Sequence, residues 1–194
     1  MVRQVNPELA GRRYGGCGYT SARLITRDRV SFRYGLIQAR IKIPRARGIW
    51  PALWMLGQDI GRSGWPRCGE IDVMEHFGTG PATVHGTVHG PGYSGRGGIS
   101  ASCAVGPSLG RDFHVYSVAW ESGKIAWYVN DELYHAVTPA DLNGKPWVFD
   151  HDFFLLINIA VGGTASVPPG KSATFPQTML IDYIRVYEPA ARLA

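Results

Sequence analysis

Residues 69–78, GEIDVMEHFG, place three carboxylates within six positions, at Glu70, Asp72 and Glu75. On an evenly pleated strand Glu70, Asp72 and Met74 share one face and Glu75 points to the other. A one-residue bulge near Val73 or Met74 shifts the alternation, so that Glu70, Asp72 and Glu75 all look into one cleft. Like charges packed together are unfavourable unless they share protons or bind a cation. A retaining glycoside hydrolysis needs such a set: two carboxyl groups about 5 to 5.5 Å apart, one attacking the anomeric carbon and one protonating the departing oxygen. The competing readings are a solvated strand face and a hard-cation site. The second is disfavoured because a stiff strand does not wrap an ion as a loop does.

Other groups could serve the same chemistry. Sugar rings stack their C–H faces on indoles. Trp50 and Trp54, four apart on a strand-like segment, share a face, either toward a cleft or in ordinary core packing, and Trp65 lies five residues before Glu70. His85, Thr87 and His89 alternate along another strand, where neighbouring glycines and β-branched residues argue against a helical zinc motif. Of the two histidines, His85 is read as structural. Asn158, polar within an apolar strand, is either a satisfied core amide or a ligand for sugar hydroxyls, and Arg23 is a weaker candidate of that kind. Three nucleotide or nucleophile signatures fail. Pro91 and the RGGIS that follows prevent GPGYSG (90–95) from opening a phosphate-binding helix. Ala165 stands where a P-loop ending in Gly170-Lys171-Ser172 needs its first glycine, and no G-x-S-x-G elbow occurs.

The elements that must position these groups are strands. The 194 residues predict about one domain, and no segment of ten or more residues has clean helical periodicity. Period-two segments recur instead. In LIQARIKI (36–43), Ile37, Ala39, Ile41 and Ile43 share a face; VYSVAW (115–120), KIAWYV (124–129) and ELYHAV (132–137) form a meander with tight turns. In LIDYIRVY (180–187), Leu180, Asp182, Ile184 and Val186 are expected to point one way. Short strands with frequent turns predict an all-β, two-sheet sandwich or jelly roll.

Composition excludes several classes. Twenty basic against fifteen acidic residues give a net charge of +5. The excess lies in the first fifty residues, yet its arginines are dispersed among strand positions, so a nucleic-acid arm is a distant reading. The longest mainly apolar run, residues 153–161, is too short for a membrane helix. The first residues show no apolar signal region. Three cysteines, Cys17, Cys68 and Cys103, allow at most one internal disulfide, and its pairing is open.

Glu70-Ile71-Asp72-Val73-Met74-Glu75 resembles the E-[IL]-D-x-M-E signature of the laminarinase-like branch of glycoside hydrolase family 16. Its inserted Met74 separates it from the regular E-I-D-x-E strand of lichenase-type relatives. Residues 19–24, 34–43, 49–57, 85–95, 124–135, 153–163 and 181–187 are similar to family segments in family order, so the resemblance runs from about 14 to 188. It implies a concanavalin-like β-jelly roll with an open cleft, cleaving β-1,3-glucan such as laminarin, and also β-1,3-1,4-glucan, without a catalytic cofactor. Glu70 is implied as nucleophile, Glu75 as acid and then base, and Asp72 as the auxiliary carboxylate. The charges of Glu70 and Asp72 are expected to keep Glu75 protonated. Trp65 is implied at the scissile-bond sugar and His89 beside the acid/base. A structural calcium is implied as well, joining Asp182 to an N-terminal segment for which no counterpart is found, so only half of its ligand set is identified. The same gap predicts an exposed sheet edge and a strand-exchanged dimer. A polysaccharide partner implies extracellular action, with no membrane or nucleic-acid partner. The alternative is a lectin-like carbohydrate binder on the same fold, which has no need of all three acids.

Overall fold

Apolar side chains at every second position fold most of the chain into strands. The computed structural model describes residues 1, 3–4, 17–44, 46–78, 82–107, 109–163, 166–170 and 173–188. In chain order the strands are β1 (Arg3–Gln4), β2 (Tyr19–Thr20), β3 (Arg23–Ile25), β4 (Gly35–Lys42), β5 (Ile49–Gly57), β6 (Glu70–Glu75) and β7 (Thr83–His89). They continue with β8 (Ile99–Ala104), β9 (His114–Glu121), β10 (Lys124–Val129), β11 (Glu132–Val137), β12 (Phe153–Val161) and β13 (Leu180–Tyr187). One turn of helix, α1 (Ile60–Ser63), lies between β5 and β6. Among the described residues no helix is long and apolar enough to cross a membrane.

The strands form two antiparallel sheets and a small β1-β2 ribbon. One sheet has the order β11-β10-β9-β4-β13 and the other β3-β12-β5-β6-β7-β8. The expected alternation of β4 is present, with Ile37, Ala39 and Ile41 fully buried. The expected meander is β9-β10-β11, whose second turn uses Asn130 and Asp131, both at positive φ (49° and 67°), as a tight hairpin requires. Between the sheets Ile37, Leu53, Met55, Ile71, Val88, Phe149 and Phe153 pack into one core cluster. Burying each such side chain contributes roughly 1.5–3 kcal/mol. Trp120 is sealed among them by a hydrogen bond from its Nε1 to the Phe149 carbonyl (3.0 Å).

The six-stranded sheet presents its other face as a groove, with the neighbours β5, β6 and β7 at its centre. The turn into β6 depends on Gly69 (φ 71°): a Cβ there would lie 2.9 Å from the Val148 carbonyl oxygen, so only glycine lets the chain start the strand at Glu70.

Strand β13 departs from the regular pattern expected of it. Its register against β4 shifts between Ile181 and Tyr183, leaving Asp182 as the extra residue. Ile184 and Val186 face the core while Asp182 is exposed and bonds to Arg40 on the outer face (2.8 Å), so the four residues do not point one way. Strands β3 and β13 are edges of the described sheets, and an apolar hollow lined by Leu24, Ile25, Val30, Ile181 and Ile184 opens between them. All three cysteines are free thiols.

Candidate active site

The bulge on which the carboxylates depend lies in β6. Against β5, Met74 pairs with Leu53 and Asp72 with Trp54, so Val73 is extra. Against β7 the pairing passes from Asp72–Thr87 to Glu75–His85, two steps of β7 facing three steps of β6. Val73 and Met74 both enter the core, and Glu70, Asp72 and Glu75 come to one face. Two adjacent hollows meet there. One is lined by Trp65, Phe77, His85, His89 and Arg96, the other by Trp54, Asp72 and Asn158, and both share Trp50, Glu70 and Glu75. A third continues past Trp54 and Asn158 to Arg23. The acids therefore stand in the middle of a groove, the first hollow alone holding about 400 Å³.

Each terminal acid is gripped by an indole. Trp65 Nε1 donates to Glu70 Oε2 (2.5 Å) and Trp50 Nε1 to Glu75 Oε1 (2.9 Å). Such bonds favour the charged acid, yet burial dominates both residues and raises them. Burial pushes Glu75 up to about 7, the charge of Glu70 adding to it, while the Trp50 N–H pulls the other way. The expectation that the charges of Glu70 and Asp72 hold the proton on Glu75 is thus corrected. Desolvation is the larger cause, and Asp72 is not among the causes. Asp72 is itself 2% exposed and held well above the usual carboxylate range by burial, then by the charges of Glu75 and Glu70. Its Oδ2 stands 3.2 Å from His89 Nε2. Burial pushes that imidazole down to about 4, so the ring faces Asp72 uncharged.

The remaining expected residues divide along the groove. Trp50 and Trp54 lie half-buried on the same face and both line the groove. Asn158 is a hydrogen-bonded amide at the groove wall. Its Oδ1 accepts the Trp54 Nε1–H (2.8 Å) while the residue lines the groove. Arg23 lies over the Trp54 ring at 5.0 Å, paired across the ladder with Asn158. Trp65 is 48% exposed, its ring 6.1 Å from that of His89. His85, read as structural, lines the groove with its ring 5.1 Å from Phe77. Phe77 and Arg96 join the groove without having been expected there. Phe77 lies two residues past the acidic strand, a hint in the sequence, whereas Arg96 sits in a glycine-rich turn that carries none.

The family model described as Glycosyl hydrolases family 16 matches residues 4–185. The chain belongs to that family. The family-16 chain is 42% identical over 183 residues to a beta-glucanase of Rhodothermus marinus, covering 90% of this chain and 64% of that one. It is 38% identical over 183 residues to glucan endo-1,3-beta-glucosidase A1 of Niallia circulans, covering 88% and 26%. It superposes with a TM-score of 0.90 on the catalytic domain of an endo-1,3-beta-glucanase (laminarinase) from Thermotoga petrophila RKU-1, at 46% identity over 97% of this chain and 76% of that one. The family-16 chain thus spans less than two thirds of these two curated relatives.

The carboxylate of Asp182, where a calcium is implied, is paired within the chain. Its Oδ2 is engaged by the Arg40 guanidinium, a competing cation, and among the described residues the group of metal-ligating side chains is elsewhere, at Glu70, Asp72 and His89.

Burial of Glu75 has a cost for the family-16 fold that can be measured. It moves the carboxyl pKa from an ordinary 4.5 to about 7. A raised carboxyl pKa contributes stability that is complete below the unfolded value and lost as pH rises through the folded one. Glu75→Gln should therefore be more stable than the parent at about pH 8, by on the order of 2–3 kcal/mol, since each tenfold change in proton affinity is worth about 1.4 kcal/mol. The difference should shrink below about pH 4. Thermal melts of both proteins across that range check this, and equal melting temperatures at alkaline pH would contradict it.

Proposed function

We propose that this family-16 chain is a retaining, endo-acting β-1,3-glucanase. The observation that carries the reading is the bulged strand, which turns Glu70, Asp72 and Glu75 into one groove and buries Glu75 so that it holds a proton near neutrality. In the first step Glu70 attacks the anomeric carbon while Glu75 gives its proton to the departing glycosidic oxygen, breaking the C–O bond and leaving a glycosyl ester on Glu70. That ester carries no charge, so one cause of the raised Glu75 pKa disappears. Glu75 then takes a proton from water, whose oxygen attacks the same carbon and frees Glu70. Two inversions give net retention. Asp72 stands between them as the auxiliary carboxylate, its ionisation opposed by burial and by the charges of Glu75 and Glu70, and the Trp65 N–H fixes Glu70 for attack.

The groove continues on both sides of the acids, which supports cleavage within a chain rather than at its end. Trp50, Trp54 and Trp65 offer faces for sugar rings, and Arg23 and Asn158 offer polar atoms to their hydroxyls. The β-1,3 linkage is supported by the names of the relatives in Niallia and Thermotoga. A lectin-like binder on this fold would gain nothing from a buried, protonated Glu75 beside a second acid.

Laminarin, lichenan, xylan and agarose, each incubated with the protein and assayed for reducing ends, test the assignment. Release from laminarin is expected, with lichenan as a second substrate. Binding to laminarin without release would leave the lectin reading. Proton NMR of the first products should show the β-anomer before mutarotation, and an initial α-signal would exclude Glu70 as nucleophile. Rates should fall as pH rises through about 7, where Glu75 loses the proton it must donate.

A further inference from the structure

The carbonyl of Asp72 lies where the ladder between β6 and β7 is interrupted, and its partner comes from the opposite sheet. Trp127, fully buried on β10, donates its Nε1–H across the core to that oxygen at 2.7 Å. The reach is made possible by an absent side chain. Gly86 of β7, facing the bulge, has the Trp127 ring and the Tyr134 hydroxyl where a Cβ would be, and any larger residue would expel them. Strand β11 has an irregularity of its own here. Trp127 pairs with His135 and Tyr128 with Leu133, so Tyr134 is the extra residue. The ring of Trp127 is braced from behind by His135, stacked at 4.8 Å and 28°. Two bulges, one in each sheet, thus face one another across the sandwich and are joined by one hydrogen bond.

We propose that Trp127 is a positioning residue, whose indole N–H holds the β6 bulge in the register that brings Glu70, Asp72 and Glu75 to one face. A buried carbonyl deprived of its donor is costly, and the bulge can relieve that cost by opening toward water or by slipping toward regular pleating. Either movement displaces Glu75, whose placement depends on the extra residue.

The inference rests on the glucanase reading for its kinetic test, so the test has an arm that needs no turnover. Trp127→Phe keeps the apolar ring and removes the donor. Trp120→Phe is the matched comparison, because Trp120 is equally buried and donates to a carbonyl, that of Phe149, outside the β6 bulge. Trp127→Phe should lower kcat on laminarin roughly 10- to 100-fold, with KM within about threefold, as expected when reacting groups are misplaced by about an ångström. Its alkaline limb should move to lower pH as water reaches Glu75, and Trp120→Phe should keep the parent's pH profile. Carbon-13 carboxyl NMR of Glu75 should show the same displacement without substrate. A Glu75 titration and kcat in Trp127→Phe that match those of Trp120→Phe would overturn the proposal. If the parent proves inactive on every glucan, the glucanase reading falls and the NMR comparison still decides the role of Trp127. If Trp127→Phe does not fold, benzothienylalanine at 127, isosteric with Trp but lacking the N–H, takes its place. In the parent itself the Trp127 indole proton should exchange far more slowly than that of exposed Trp65, and comparable exchange would likewise overturn the assignment.

Discussion

Glu75→Gln is expected to lower kcat on laminarin by about 10²- to 10⁴-fold, the usual contribution of a positioned general acid. The amide oxygen still accepts the Trp50 N–H, so the groove should keep its shape and KM should change little. The loss should depend on the leaving group. An aryl glucoside whose phenolate departs unaided needs no proton in the first step, so Glu70 is glycosylated at nearly the parent's rate. The second step, lacking its base, then limits turnover. A burst of phenolate followed by slow steady release is the signature, and azide, which attacks without losing a proton, should restore turnover in Glu75→Ala. A loss below tenfold on polymer, with no burst on the aryl substrate, would remove Glu75 from the mechanism.

Glu70→Gln should be more severe, about 10⁴-fold or more, and indifferent to the leaving group, because no nucleophile remains to form the ester. The neutral amide can still accept the Trp65 N–H, so the effect is chemical rather than structural. Mass spectrometry after rapid quenching should find a glycosyl adduct on the parent and on Glu75→Gln with the aryl substrate, and none on Glu70→Gln. An adduct on a residue other than Glu70 would require a different assignment of the two acids.

Features set by side-chain type and short spacing are readable in the chain. The alternation in β4, the β9-β10-β11 meander and the bulge in β6 follow from period-two patterns and from one inserted residue. What depends on partners distant in sequence is not. Strand β8, Ile99–Ala104, is silent because its alternating residues are too small to give an apolar signal. The irregularity at Asp182 arises against β4, whose Arg40 bonds to it from about 140 residues earlier. The sequence misleads on the cause of Glu75's raised pKa because it displays neighbouring charges and conceals burial. The rings of Trp50 and Trp65 are legible as candidate platforms for sugars. That their N–H groups hold the acids is not, since composition fixes an indole and only the fold aims it. Trp127 lies in a segment that reads simply as a strand, and its target is the backbone of another sheet.

The double duty of Trp50 and Trp65 constrains how this groove can evolve. An indole that offered a face to saccharide, as proposed above, while aiming its edge at a carboxylate would tie ligand affinity to reactivity, so neither property could be adjusted alone. Replacing Trp50 by tyrosine or leucine to admit a differently branched polymer would also change the ionisation of Glu75, and with it the acidity at which the protein works best. Variation in preference for particular polymers should therefore arise farther out, around Trp54 or around Phe77 and Arg96, which line the groove without donating a hydrogen bond to Glu70 or Glu75.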